Sequence, residues 1–351
     1  MKDPEKFNRR NKEMVKKIFC LVVLLAVFCA LAIPGTEAAE KKLQKVSLIL
    51  NWKVMGDHSP YYVAMKKGWF AEEGIDLEVI LGQGSNFSVQ SVDTGKAIFG
   101  IADAPVAITA RAKGAKVKII GIIFDKHPNC MYYWKDSGIK EPRDLVGKKV
   151  GVPAADGHKV MFPAFAKIIG IDPSKVEFIN IEPAAKPAVL ATKRADVVFD
   201  LYTGKAFFEK MIPPEKLGYN LWADYGFNAY AHAYITSDAT VEKNPALVRA
   251  FLKASYRGWE YTLKNPEEAI KILAESHPIN LDDYLGNLKL VREFFKTDRY
   301  RNQGIGYIDK DRMENTIDTV DKIMGIKVTF KHEDAYTGAF LPKPPFKLPA
   351  F

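Results

Sequence analysis

The sequence predicts an α/β protein of two lobes, each a mostly parallel sheet flanked by helices, followed by a helical C-terminal segment. Between Val46 and Ile123 short apolar runs alternate with segments of helix length, the order that parallel strands with crossover helices produce. The same rhythm restarts after His127-Pro128 and runs to Asp200, and beyond Thr236 it gives way to helices. A chain of 351 residues with 48% hydrophobic residues is long enough to bury two moderate cores.

In order, residues 46–52 alternate between two faces and read as a strand, with Ser59-Pro60 as a cap and first helical turn and Gly68 as the stop. A second strand is expected over 75–81, a helix over 87–94 closed by Gly95, and a third strand over 98–102. Asp103 reads as the cap of a helix beginning near Pro105, and 117–123 as a fourth strand. In the second lobe, strands are expected at 130–134, 149–152, 176–181 and 196–200, with helices at 158–169, 184–193 and 204–210. Residues 229–236 read as a returning strand. Asn244-Pro245, Asn265-Pro266 and Asn280 mark helix starts, a last helix covers about 309–325, and the Pro-rich end 342–349 reads as a surface tail.

The N-terminus carries Lys12, Lys16 and Lys17 before an uninterrupted apolar run, Ile18–Ile33, and small residues at 36 and 38. A charged start, an apolar core too short to span a bilayer comfortably and a small-residue site describe an export signal over 1–38, cut after Ala38; an uncleaved anchor is the alternative. Phe28 before Cys29 speaks against lipoprotein processing. Without 1–38 the formal net charge falls from +9 to +6. No cluster of Lys and Arg interleaved with aromatics is present, so a nucleic-acid partner is not expected. Cys20 and Cys29 fall in the signal, leaving Cys130 as a lone small core residue.

The stretch Leu50–Asp103 holds, in order, Trp52, His58, Pro60, Tyr62, Val63, Ala64, Gly68, Phe70, Glu73, Gly74, Asp76, Gly82, Gly84, Gly95, Gly100 and Asp103. This series resembles the sulfonate/thiamine-precursor family of substrate-binding proteins that serve ABC importers, and KEPRDLVGKKVGV over 140–152 resembles the segment opening that family's second lobe. The resemblance implies a two-lobed periplasmic binding protein fold of type II. Lobe 1 would comprise 39–127, lobe 2 128–232, and 233–351 would return to lobe 1. It further implies a monomeric periplasmic receptor that closes on a small-molecule ligand and delivers it to permease and ATPase subunits. No cofactor is called for.

Ligands of α/β sheets collect where strands end and helices begin. The first such loop offers Asn51, Trp52, Asp57, His58 and Tyr61; the Trp52 ring can fill the core or form a stacking floor, and the resemblance favours the floor. Gly84, Ser85 and Asn86 follow in a Gly-rich turn in which Ser85 or Asn86 can cap a helix, and Asp103-Ala104 form the third loop. In the second lobe the candidates are Asp156, Gly157 and His158, then Asp200 and Tyr202. A carboxylate at 156 disfavours a sulfonate or phosphate unless Lys159 neutralises it, and Asp200 can accept from an amine. Tyr225, Phe227 and Tyr230 add aromatic surface near the return to lobe 1. With Trp52 they point to an aromatic or nitrogen-heterocyclic ligand, and the Trp52/His58 loop resembles the pyrimidine-precursor branch of the family; a receptor for taurine, another sulfonate or another small organic solute is the alternative.

Two other classes, an enzyme and a sensor, fit the residues less well. Enzymes of pyrimidine synthesis in the family use a histidine and a Cys-rich motif, which the lone Cys130 does not provide; no P-loop, HExxH or GxSxG triad context is present, and the scattered histidines lack metal-ligand spacing. A sensor would need an appended output segment, which is not evident.

Overall fold

The computed structural model describes residues 42–348, together with Arg9, residues 12–17 and Phe19. The chain divides into two compact units, Met1–Lys42 and Leu43–Phe351. Residues 12–17 are helical. The rest of the expected export signal, with nearly all of its apolar run, lies outside the described residues. No helix among the described residues is long and apolar enough to cross a membrane.

The second unit holds ten strands: β1 (Gln44–Ile49), β2 (Ile75–Ile80), β3 (Phe99–Asp103), β4 (Val117–Ile122), β5 (Asn129–Trp134), β6 (Lys149–Val152), β7 (Glu177–Asn180), β8 (Val197–Leu201), β9 (Leu217–Leu221) and β10 (His232–Ser237). They form two five-stranded sheets with the same plan, β2-β1-β3-β10-β4 and β7-β6-β8-β5-β9. Four strands of each run in one direction, and the fourth in spatial order, β10 or β5, is antiparallel to both its neighbours. Each sheet is therefore mixed. The reason lies in connectivity, because β5 and β10 are the first strands after the chain crosses from one sheet to the other, within 123–128 and within 222–231.

Burial explains the patterning. Edge strand β2 alternates buried and exposed residues, whereas central β3 is buried throughout, as a strand covered on both faces must be. Phe99 of β3 stacks at 3.9 Å on Phe251 of the helix Pro245–Lys264, tying the C-terminal helices to the first sheet. Asn244, Asn265 and Asn280 do precede helices, Pro245–Lys264, Pro266–Ala274 and Leu281–Glu293.

Two elements carry no strong sequence signal: β9, an edge strand interrupted by Gly218, and the single-turn helix Asp298–Gln303. The C-terminal segment is not a free surface tail. The Ile305 N–H donates to the Phe346 carbonyl at 2.9 Å, and Phe346 and Leu348 pack on the core. Cys130 is a buried free thiol in β5.

Candidate ligand-binding site

Loops at the carboxyl ends of β1, β2, β3, β6, β7 and β8 converge on one cavity. The first sheet contributes Asn51, Trp52, Met55, Asp57, His58, Gly84, Ser85, Asp103 and His232. The second contributes Asp156, Gly157, His158, Lys186, Asp200, Leu201, Thr203 and Gly204, and Asn287 arrives from the helix Leu281–Glu293.

The two sides meet closely. A Cβ on Gly157 would come within 2.4 Å of Asp103 Oδ2, and one on Gly84 within 2.2 Å of the Ala155 carbonyl. Gly84 also has φ +125°, so only glycine suits this turn. Asn287 Nδ2 donates to the Thr203 carbonyl at 2.7 Å, linking the C-terminal helices to the loop after β8.

On the second side the charges are self-contained. Asp156 caps the helix Gly157–Ile169 by accepting from the His158 N–H at 3.0 Å, and the same Oδ1 lies 2.6 Å from His158 Nδ1. Its Oδ2 accepts from Lys186 Nζ at 2.8 Å, while Lys186 also reaches Asp200 Oδ1 at 3.2 Å and stands 4.5 Å over the Trp52 ring. His158 Nε2 faces the Asp200 carbonyl at 3.1 Å, so both imidazole nitrogens face acceptors. Burial alone would raise the Asp156 carboxyl, but Lys186 and then His158 hold it well below the usual carboxylate range. Burial pulls the Lys186 ammonium down, and Asp156 and Asp200 more than offset it, so its value is raised.

On the first side a relay of hydrogen bonds fixes proton positions. The Met55 N–H donates to His58 Nδ1 at 3.0 Å, so neutral His58 carries its proton on Nε2 and donates to Asn51 Oδ1 at 3.0 Å. Burial lowers the His58 value, with Asp57 opposing. Asn51 Nδ2 then donates to His232 Nε2 at 3.2 Å. Asp103 Oδ2 accepts from Ser85 Oγ at 3.0 Å, and the Asp103 N–H donates back to Ser85 Oγ at 3.1 Å. Asp103 Oδ1 is buried without a hydrogen-bond partner, 3.4 Å from His232 Nε2 and 3.9 Å from His127 Nε2.

Eleven of the sequence-derived candidates line the cavity: Asn51, Trp52, Asp57, His58, Gly84, Ser85, Asp103, Asp156, Gly157, His158 and Asp200. Four do not. Tyr61 lies in the core, its hydroxyl accepting from Tyr234 Oη at 3.0 Å, and Tyr62 likewise turns away to His277. Ala104 is wholly buried behind Asp103, Asn86 sits outside the lining, and Tyr202 packs against Tyr219 and Phe294.

Several roles also differ. Neither Ser85 nor Asp103 caps its helix, because the two side chains bond each other, and Ser59 gives its hydroxyl to the Gly56 carbonyl. Asp156 is neutralised by buried Lys186, whereas Lys159 is exposed. Phe227 and Tyr230 are core residues and Tyr225 bonds Asn220, so Trp52 is the one Phe, Tyr or Trp ring in the lining. Lys186, His232 and Asn287 escaped the sequence reading. Lys186 opens the apolar helix KPAVLA and Asn287 falls on the buried face of its own helix beside Leu288 and Val291; a lone polar residue on an apolar face was the available signal.

Such a fold and cleft define a class: two mixed sheets of identical plan around a ligand cavity are the periplasmic binding protein fold. The alkanesulfonate-binding protein SsuA from Xanthomonas axonopodis pv. citri, solved bound to MOPS, shares it with a TM-score of 0.65 over 84% of this chain and 98% of that one at 12% identity. Within that class the chain belongs to the NMT1/THI5-like family, whose model matches residues 55–269. It is 28% identical to a 4-amino-5-hydroxymethyl-2-methylpyrimidine phosphate synthase of Legionella pneumophila, over 86% of this chain and 94% of the relative. It is 26% identical to the formylaminopyrimidine-binding protein of Halalkalibacterium halodurans, over 80% of this chain and 83% of the relative.

Proposed function

We propose that the protein is the solute-capturing component of an ABC importer, closing its lobes on a small nitrogen heterocycle of the thiamine-pyrimidine-precursor type. The observation that carries this reading is the charge balance of the cavity. Its lining holds four carboxylates, Asp57, Asp103, Asp156 and Asp200, and Lys186 as its one lysine or arginine. Lys186 and His158 are already engaged by Asp156 and Asp200. Asp57 and Asp103 therefore meet the ligand, and they attract N–H donors and repel sulfonate, nitrate or phosphate. The Trp52 indole supplies the apolar wall on which a flat ring can lie.

In this reading residues 1–38 direct export to the periplasm. The segments 43–127 with 232–351 form one lobe and 128–231 the other, rocking about the two crossings, and the closed form is what the permease engages. The formylaminopyrimidine named for the Halalkalibacterium relative is a ligand of the expected chemistry.

A second reading, pyrimidine synthesis, is favoured by the name of the Legionella relative. Burial pushes the Cys130 thiol well up, and Cys130 does not line the cavity, so it is not placed to act there as a thiolate. Mass spectrometry of small molecules released from protein purified without refolding, followed by calorimetry, separates the readings. Heat from aminopyrimidines and none from taurine is expected. Binding of sulfonates without any pyrimidine sinks the import of heterocycles, and turnover yielding a pyrimidine replaces it with the enzyme.

A further inference from the structure

Resting on the reading of this cavity as a heterocycle site, we propose that Asp103 is its specificity-determining residue, accepting a hydrogen bond from an exocyclic amino group of the ligand through Oδ1. This buried carboxylate oxygen has no partner, while its twin Oδ2 is tied to Ser85. An unsatisfied buried charge-bearing oxygen is costly, and a native structure retains one where something else supplies the proton.

Two imidazoles stand close enough to be considered as that supplier. His232 Nε2 lies 3.4 Å from Oδ1, but its lone pair is committed to the Asn51 amide. That commitment is set from the backbone. The Met55 N–H makes His58 Nδ1 an acceptor, His58 Nε2 a donor, the Asn51 oxygen an acceptor and the Asn51 nitrogen the donor to His232. Turning the Asn51 amide over would set its N–H groups against the His58 N–H, so the relay has one direction. His127 accepts the Asn129 N–H on Nδ1 at 3.4 Å, which leaves its proton on Nε2, yet that nitrogen is 3.9 Å from Oδ1 and itself unpartnered. That distance exceeds a hydrogen bond.

Asp103 is thus denied a proton by its neighbours, and the ligand has to bring one. The Gly157 backbone passes so close to Asp103 Oδ2 that no side chain fits between, and both residues line the cavity. An amino group meets an acceptor at this place, whereas a ring carbonyl sets one acceptor against another.

The test compares two probes of nearly equal shape, 4-amino-2-methylpyrimidine and 2-methylpyrimidin-4-one, by calorimetry on the full mature chain. The amino compound is expected to bind about 10- to 100-fold more tightly, the range of one unmatched buried polar group. Asp103→Asn, which can offer N–H as well as carbonyl, is expected to erase or invert this ratio. Asn51→Leu frees His232 to place a proton on Nε2 toward Asp103 and is expected to shrink the ratio while Asp103 itself stays intact; thermal unfolding of each variant establishes that it folds. Equal affinity of the wild-type protein for both probes, or a ratio unmoved by Asp103→Asn, overturns the role of Asp103 and leaves the heterocycle reading in place. Failure of both probes beside binding of taurine overturns the heterocycle reading itself.

Discussion

Lys186 and Asp156 form an ion pair of 2.8 Å in which both side chains are almost completely withdrawn from water, 3% and 6% exposed. Neither residue tolerates loss of the other, since a buried charge left without its partner costs far more than the intact pair contributes. Lys186→Met is expected to destabilise the protein by about 3–5 kcal/mol, read from urea unfolding. Adding Asp156→Asn should restore part of that loss, because the remaining amide still caps the helix Gly157–Ile169. A double variant no more stable than Lys186→Met alone would show that the pair is not the source.

The pH dependence has a defined direction. Burial lowers His58, and it lowers His127 well below the ordinary imidazole value. For a base favoured neutral in the folded state, the unfolded chain binds the extra proton, so this contribution is whole above about pH 6.5 and is lost as pH falls toward the folded values. Asp156 is also lowered, and its contribution is whole above about pH 3.9 and lost below. Lys186 is raised, so its share is whole below about pH 10.4 and lost as pH climbs through its folded value. Urea midpoints should therefore hold steady between roughly pH 6.5 and 8.5, above which the unfolded chain ionises the thiol that burial of Cys130 keeps protonated, and on the acid side they should decline first in the histidine window. His127→Gln should blunt that first decline; a midpoint unchanged from pH 7.5 to 5 would contradict the assignment.

If the protein closes on its ligand as proposed, closure depends on glycine where the two sides of the cavity meet. Gly157 has no unusual backbone angle, so an added methyl group acts through its neighbours, chiefly the 2.4 Å approach to Asp103 Oδ2, with Ser85 Oγ at 3.3 Å next. Gly157→Ala is expected to leave thermal unfolding of the free protein nearly unchanged while weakening ligand binding about tenfold, as the closed form becomes overpacked. Small-angle scattering with saturating ligand should report a larger radius than wild type. Unaltered affinity would mean that the contact is not part of the bound state.

Local chemistry made the fold legible and left half of the site hidden. Strand β6 falls on the residues expected for it, Lys149–Val152, and the Asn-Pro pairs at 244 and 265 open helices because proline suits a first turn. Gly84, Ser85, Asp156 and Asp200 could be placed at the cleft because each lies at or just beyond the carboxyl end of a strand. What could not be read was partnership. Ser85 and Asp103 each carry the signature of a helix cap, and only their convergence from neighbouring loops turns them toward each other. Asn51 meets His232 across 181 residues of sequence, and Asn287 comes from a helix that the chain builds after completing both sheets. Lys186, which decides the charge of the cavity, looks in sequence like one more surface lysine.

Arg312 joins the two crossings between the sheets. Its guanidinium donates to the Asp125 carbonyl at 2.6 Å in the first crossing and to Asn228 Oδ1 at 2.8 Å in the second, and it lies over the Tyr230 ring at 5.0 Å. Arg299 also reaches the buried Asp125 carboxylate, at 2.9 Å, so removing Arg312 leaves that charge paired. Arg312→Met should therefore cost only about 1–3 kcal/mol of global stability, the scale of lost hydrogen bonds to a charged group. Its larger effect should be local: amide exchange is expected to accelerate within 123–128 and 222–231, while β6 and β8 keep their protection. Ligand association and dissociation should both quicken if these crossings are the hinge. A uniform rise in exchange across both sheets would instead make Arg312 a general stabilising contact with no special place in closure.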